Sequence, residues 1–380
     1  MNTNIYLYLI PVFIVLWATT IAINKFIKLD LLPVKYPEID GVRGYLAFFV
    51  FLHHSYIWQQ YIRTKEWDDP NSNLFTHFGQ TSVVLFFIIT AFLFITKLLE
   101  NKTDFDWNHY IKSRFFRLFP MYICIVLVVF IMAGCYTHWK QQDSFLNLIK
   151  SIGSWLFFTV NGASDINGFE KTFLMNSGVT WTLPYEWMFY FLLPIFALFL
   201  RKSVKPKVIV LFTFIFLLLL FINQASIRHF MPFVGGIIAA VLLKKFDLKP
   251  ITKKPVFTFI ALALLVCSVI FFDSGRKPIP IIISTVFFII IASGNSFFGL
   301  LTASLSRKLG QITYSLYLIH GTLLFIIFYG IIGVEKAAKL SNIEYWGIIS
   351  ATVIPLLFLS QITFKYIELP MMNYIKIKKS

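Results

Sequence analysis

Arg43 and His54 lie eleven residues apart in one apolar stretch, GVRGYLAFFVFLHHS, residues 41–55. Eleven residues make close to three helical turns, so the two side chains share a face, roughly 16 Å apart along the axis. That is about half the hydrocarbon thickness of a bilayer. A guanidinium can grip phosphate or carboxylate oxygens, and a neutral imidazole can take a proton from a hydroxyl. Ionisable groups at membrane depth are costly and face a cavity rather than lipid. His53 points about 100° away from His54, so it is assigned to packing or a hydrogen bond with a neighbouring helix.

Three further groups could join this pair. In TWTLPYEWMFY, residues 180–190, Glu186 falls in the first turns of a helix. The helix dipole favours a carboxylate there, and it could equally bind a hydroxyl, orient a histidine or stabilise an imidazolium. In ITYSLYLIH, residues 312–320, His320 sits roughly 13 Å into its helix, at a depth similar to His54. In SRFFRLFP, residues 113–120, Arg114 and Arg117 are one turn apart on a helix that Pro120 should kink or restart. Two guanidiniums on one face make a phosphate clamp, although arginines at a membrane edge also simply set topology.

The elements that must position these groups are membrane helices. The 380 residues are 58% hydrophobic and only 14% charged; a soluble chain has about 25% charged residues. About eleven spans are expected, at 4–24, 44–62, 81–99, 119–136, 184–200, 207–224, 230–243, 255–272, 278–295, 311–332 and 345–366. With the N-terminus outside, the inside segments carry twenty-four of the 34 Lys and Arg. The net charge of +16 is then mostly positive-inside topology, which argues against nucleic acid as a partner. The first span has its positives, Lys25 and Lys28, on the far side of the apolar run, and reads as an anchor rather than a cleaved signal. Cys124, Cys135 and Cys267 all fall in apolar spans and are expected to be buried, inert thiols.

The longest connection, 137–183, contains Phe145 to Val160, too short and polar to span and expected to lie at the interface or re-enter. Around it stand Trp139, Trp155, Trp181, Asn161, Asp165, Asn167, Glu170 and Asn176. These suit either a carbohydrate platform or an aromatic belt. No metal-ligand spacing, G-x-S-x-G elbow, Walker loop or dinucleotide fingerprint is present.

Taken in order, IDGVR at 39–43 running to His54, LFFIITAFL at 85–93, RFFR at 114–117 with Pro120, WTLPYE at 181–186, YSLYLIH at 314–320 and ELP at 368–370 resemble the type 3 membrane acyltransferase family. The likeness covers about residues 37–372. It implies an all-α integral membrane fold: a ten-helix acyltransferase bundle plus one extra N-terminal transmembrane helix. The chain then divides into an anchor and basic linker (1–36), the acyltransferase domain (37–372) and a basic cytoplasmic tail (373–380). The expected activity is transfer of an acyl group, acetyl by family frequency, from cytoplasmic acyl-CoA to a hydroxyl of a cell-surface glycan such as O-antigen or capsule. Such a protein would sit in a bacterial inner membrane with its C-terminus cytoplasmic.

In this reading His54 is general base or transient acyl carrier, and Glu186 and His320 orient base or acceptor. Arg43, Arg114, Arg117 and Tyr314 bind the acyl-CoA, whose phosphate-to-thioester span matches the Arg43–His54 separation. No metal is expected. With no esterase-like domain after residue 380, transfer is expected to be completed by the membrane part or a partner. Two departures from the family pattern stand out: Trp187-Met188 replaces a common Glu-Gln, and Thr90-Ala91 replaces Ser-Gly, the latter read as packing. A secondary transporter or flippase for a glycan precursor would share the midplane charges, as would a non-catalytic partner in polysaccharide assembly; no internal pairing of halves supports a transporter.

Overall fold

The computed structural model describes residues 3–100, 105–200 and 204–377, and among them the chain is helical with no strand. Lys102, Arg201, Lys202, Lys378 and Lys379, counted above among the inside charges, lie outside the described residues, as does the end of the basic tail. A short 3₁₀ turn leads into α1 (Leu9–Phe26), followed by α2 (Pro37–Thr64), α3 (Asn73–Glu100) and α4 (Trp107–Tyr136). The long connection holds α5 (Phe145–Leu156); then come α6 (Thr182–Phe199), α7 (Pro206–Asn223), α8 (Met231–Lys245), the single turn α9 (Lys249–Thr252), α10 (Pro255–Phe271) and α11 (Pro278–Ala292). The last part comprises α12 (Ser304–Gln311), α13 (Thr313–Phe325), the turn α14 (Val334–Ala337), α15 (Asn342–Thr363) and α16 (Leu369–Ile377). Each of the eleven apolar windows lands on one of these helices.

Among the described residues eight helices are long and apolar enough to cross a membrane, by length and composition, and α10 and α11 are shorter apolar helices. This is the architecture of a multi-pass membrane protein. α2 is as long as any of its neighbours but is interrupted by Arg43, His53, His54, Gln59 and Arg63. It tolerates them because it is central: 19 of its 28 residues are buried, enclosed by α3, α12 and α13. In α7 only Phe212 is buried, which fits a helix on the bundle's periphery with apolar side chains all round.

Local signals agree with these boundaries. Pro37 opens α2 with Glu38 and Asp40 in its first turn, and Lys65 closes it in the left-handed region. Ser341 and Glu344 form a reciprocal capping box at α15. Pro120 neither ends nor restarts α4, which continues through it to Tyr136. The α2–α12 crossing depends on a missing side chain. A Cβ on Gly310 would run into the Asp40 carbonyl oxygen, so the two backbones meet as small residues allow in membrane bundles.

One expectation needs correction. Cys135 and Cys267 are exposed on the outside of their helices, and Cys124 is half-buried; apolar surroundings here mean the bundle's outer surface rather than its core. The 137–181 connection is held together by its own side chains. Trp155 is buried and donates its indole N–H to Ser164 O, while Asn167 binds the backbone at Lys140 and Gln142. Asp165 accepts from Thr172 N–H and Asn176 from Gly178 N–H, so these polar groups hold the connection itself. Trp139 remains exposed. α5, about 18 Å long and too short to cross, keeps Phe145, Leu146 and Ile149 exposed.

Candidate active site

The bundle has a basic end, where α2 starts and α4 begins, and a loop end, where the 137–181 connection lies. From the basic end a cavity of about 310 Å³ enters between α2, α3, α4, α6 and α13. It is lined by Arg43, Lys97, Arg114 and Arg117, by the single carboxylate Glu186, and by Thr90, Tyr190, Tyr314 and Tyr317 among others. Five of the seven residues singled out from sequence therefore share one chamber: Arg43, Arg114, Arg117, Glu186 and Tyr314.

The electrostatics of this chamber are unbalanced. Four cations face one carboxylate, and the carboxylate is already engaged: Tyr190 OH donates to Glu186 Oε2 at 3.2 Å and Thr90 OH to Oε1 at 3.5 Å. Among the described residues, neither of the two ion pairs within 4 Å involves an arginine of the chamber. Arg114 lies over the Phe94 ring, 5.0 Å from its centroid, with its Nε buried and without an acceptor. Tyr314 donates to Leu118 O at 2.9 Å, tying α13 to α4 beside the arginines. Guanidiniums left without carboxylate partners in a concave site are suited to phosphate oxygens.

His54 and His320 form the second group. His54 Nδ1 and His320 Nε2 are 2.9 Å apart, which confirms the matching depths inferred from sequence. His320 is fully buried, and its Nδ1 lies 3.1 Å from Leu316 O. A carbonyl can only accept, so in a neutral ring His320 Nδ1 carries the proton and Nε2 offers its lone pair. His54 Nδ1–H must then donate to it, leaving the lone pair of His54 on Nε2. One imidazole fixes the tautomer of the other, as a carboxylate does in a hydrolase triad. His54 is only half-buried and stacks against Trp67, while His53 binds Phe75 O at 2.8 Å on α3, the packing role expected of it.

The connection at the loop end covers this pair. Trp58, one turn beyond His54, donates to Ser177 OH at 2.9 Å, and a Cβ on Gly321, next to His320, would strike Asn176 O.

The two groups are not joined by open space. From α2 the cavity touches Arg43 alone; Ala47 and Val50, between Arg43 and His54, are essentially fully buried. On the facing side Tyr317 ends the chamber, its OH donating to Val179 O at 2.9 Å and lying 3.1 Å from Thr182 OH. The Tyr317 and His320 rings are 6.0 Å apart. The expectation that Glu186 orients a histidine is not met: its partners are Thr90 and Tyr190, on the arginine side of Tyr317.

Sequence reading missed Thr90, Tyr190 and Tyr317 as lining residues. Of the Thr90-Ala91 pair only Ala91 packs, buried against α8, while Thr90 faces the chamber. Tyr190 follows Glu186 by four residues, a helical spacing that puts both on one face. The other departure is a packing matter: Trp187 stacks on Phe191 and Met188 is fully buried. Among the described residues no group of three or more His, Cys, Asp or Glu could hold a metal ion.

An arginine chamber and an oriented imidazole inside one helical bundle are a setting suited to group transfer, and the chain can be set beside known proteins. The model of a family described as an acyltransferase domain matches residues 36–364, and the chain belongs to that family. Among curated proteins it is similar to two from Staphylococcus aureus, strains COL and N315, each named "putative O-acetyltransferase". Each is 23% identical over 368 residues, with 88% of this chain and 57% of the relative covered. The chain thus spans little more than half the length of the curated relatives it matches. No solved structure matches it.

Proposed function

We propose that this protein is an O-acyltransferase that carries an acetyl or related acyl group from acyl-CoA, bound at the basic end, to a hydroxyl of a cell-surface glycan at the loop end. The observation that carries the reading is the His54–His320 contact, which leaves the lone pair of His54 on Nε2, with an unpaired arginine chamber at the basic end. Arg43, Arg114 and Arg117 hold the donor phosphates, with Tyr314 fixing the wall beside them. The positive-inside distribution of charge supports placing this end in the cytoplasm.

In the reaction His54 Nε2 takes the proton of the acceptor hydroxyl as its oxygen attacks the thioester carbonyl. The carbon–sulfur bond breaks, and the thiolate recovers that proton from the imidazolium. His320 keeps His54 in the competent tautomer and shares the charge that develops on it. Glu186 belongs to the donor side, where it sets the Tyr190 and Thr90 hydroxyls. Ala47, Val50 and Tyr317 close the path between the two groups, so the reading includes a step in which Tyr317 leaves Val179 and Thr182 to admit the thioester.

The test is transfer of labelled acetyl from acetyl-CoA to surface glycan by the purified protein in nanodiscs, together with mass spectrometry of glycans from cells with and without the gene. Acyl groups that persist in the absence of the gene, and no labelled product in vitro, would refute it.

A further inference from the structure

At the loop end a second arginine site stands apart from the donor chamber. The connection between α10 and α11 is docked onto the first turns of α3 by two contacts and braced by a third within itself. His77 Nε2 binds Phe272 O at 2.9 Å, Ser274 OH donates to Gln80 Oε1 at 2.6 Å, and Arg276 N–H donates to Ser274 at 3.3 Å. This fixes Arg276, whose guanidinium lies over the Trp181 ring at 4.9 Å from the centroid. Trp181 in turn rests against His229 and Tyr185, with ring centroids 5.2 and 5.9 Å away. Gln80, Trp181, Arg228, His229 and Arg276 line a small cleft there.

The guanidinium has no ion-pair partner in contact among the described residues. Its Nε is buried without an acceptor, and among the described residues no carboxylate lies within 4 Å of it. Asp69, the nearby acid, is exposed and accepts instead from Gln80 Nε2 at 3.1 Å. Holding a partly buried, unpaired guanidinium is costly unless an anion completes it.

Its place relative to the histidines follows from one turn of α3. Gly79 lies directly against the His53 ring, where a Cβ would collide, and the His53 and His54 rings are 5.0 Å apart. The flanking residues His77 and Gln80 hold the Arg276 connection. Arg276 therefore sits at the loop end beside the turn of α3 that backs the histidines, in a cleft that shares only Val83 and Phe87 with the donor chamber.

We propose that Arg276 anchors an acidic group, carboxylate or phosphate, on the acceptor saccharide, so that the acceptor of this protein is an anionic glycan. This rests on the acyl-transfer reading above. The guanidinium fork binds either oxyanion in two places, and its place at the loop end, linked to His54 through Gly79 and His53, suits an acid borne by the acceptor.

Binding to the full chain in nanodiscs tests it with three oligomers of equal length: oligogalacturonate (carboxylate), oligo(glycerol phosphate) (phosphate) and maltooligosaccharide (neutral). Wild type should bind one anionic probe about tenfold more tightly than the neutral one, and which one identifies the acid. Arg276→Gln should erase that preference and Arg276→Lys keep part of it, with acetyl-CoA binding unchanged in both as evidence of folding. Equal binding of all three probes by wild type, no binding of either anion, or a preference that survives Arg276→Gln overturns the proposal. Loss of acetyl-CoA binding in wild type would instead strike the acyl-transfer reading, whatever the saccharides do.

Discussion

His54 Nδ1 faces His320 Nε2 at 2.9 Å, and His320 Nδ1 faces Leu316 O at 3.1 Å. This two-step chain across α2 and α13 determines which nitrogen of His54 is left basic. It also makes unequal demands on the two residues. His54 must have its own ring, whereas His320 must only accept one hydrogen bond.

Replacing His54 by Ala should leave the protein inserted and able to bind acetyl-CoA, with transfer reduced about 10²–10⁴-fold, the range of general-base catalysis. His320→Gln, which can still accept from His54, should retain more activity than His320→Ala. Initial rates with labelled acetyl-CoA decide this, and equal rates for the two His320 variants would remove the orienting role.

Arg114→Lys and Arg117→Lys preserve charge but lose the planar fork. Each should raise the KM for acetyl-CoA by about tenfold with a smaller change in kcat, the pattern of lost ground-state binding. Unchanged saturation curves would separate the chamber from the donor.

Tyr317→Ala removes the ring that ends the chamber and both of its hydrogen bonds. The expected outcome is faster release of free CoA from acetyl-CoA in the absence of any acceptor, because water then reaches the thioester beside His54. Thiol release measured with and without glycan checks it; a rate no higher than wild type would mean that Tyr317 is not the closure.

Gly310→Val forces a side chain into the Asp40 backbone and should destabilise the bundle by about 1–3 kcal/mol, the usual cost of overpacking. Gly347→Ala on α15, where nothing lies within 4 Å, is the control. It should leave the thermal transition in detergent unchanged or slightly raised. Equal transitions would show that the α2–α12 approach can relax.

Much of this was legible in the residues themselves. Helix positions follow from apolar length, and the joint depth of His54 and His320 follows from counting turns. The clustering of Arg43, Arg114 and Arg117 was suggested by motif order alone. Periodicity cannot show which helix a side chain meets, so Glu186 was placed with the histidines although its i+4 neighbour Tyr190 and Thr90 of α3 hold it among the arginines. Arg276 gave no signal, because a basic residue in a six-residue connection looks like any surface charge until the fold lays it over Trp181. The polar residues of the 137–181 connection also have a local task that spacing does not reveal. Seven of the eleven non-glycine residues with positive φ fall between His138 and Ser177, and backbone turned so often needs side chains such as Asn167 and Asp165 to hold it.

The buried stretch of Ala47 and Val50 has a bearing beyond turnover. A membrane that stores energy as an ion gradient tolerates no continuous file of water, yet a polar hollow enters this protein from its basic end. Two small aliphatic side chains and one tyrosine act as its insulation, so enlarging the passage should be felt first as proton leakage and slowed growth of the host.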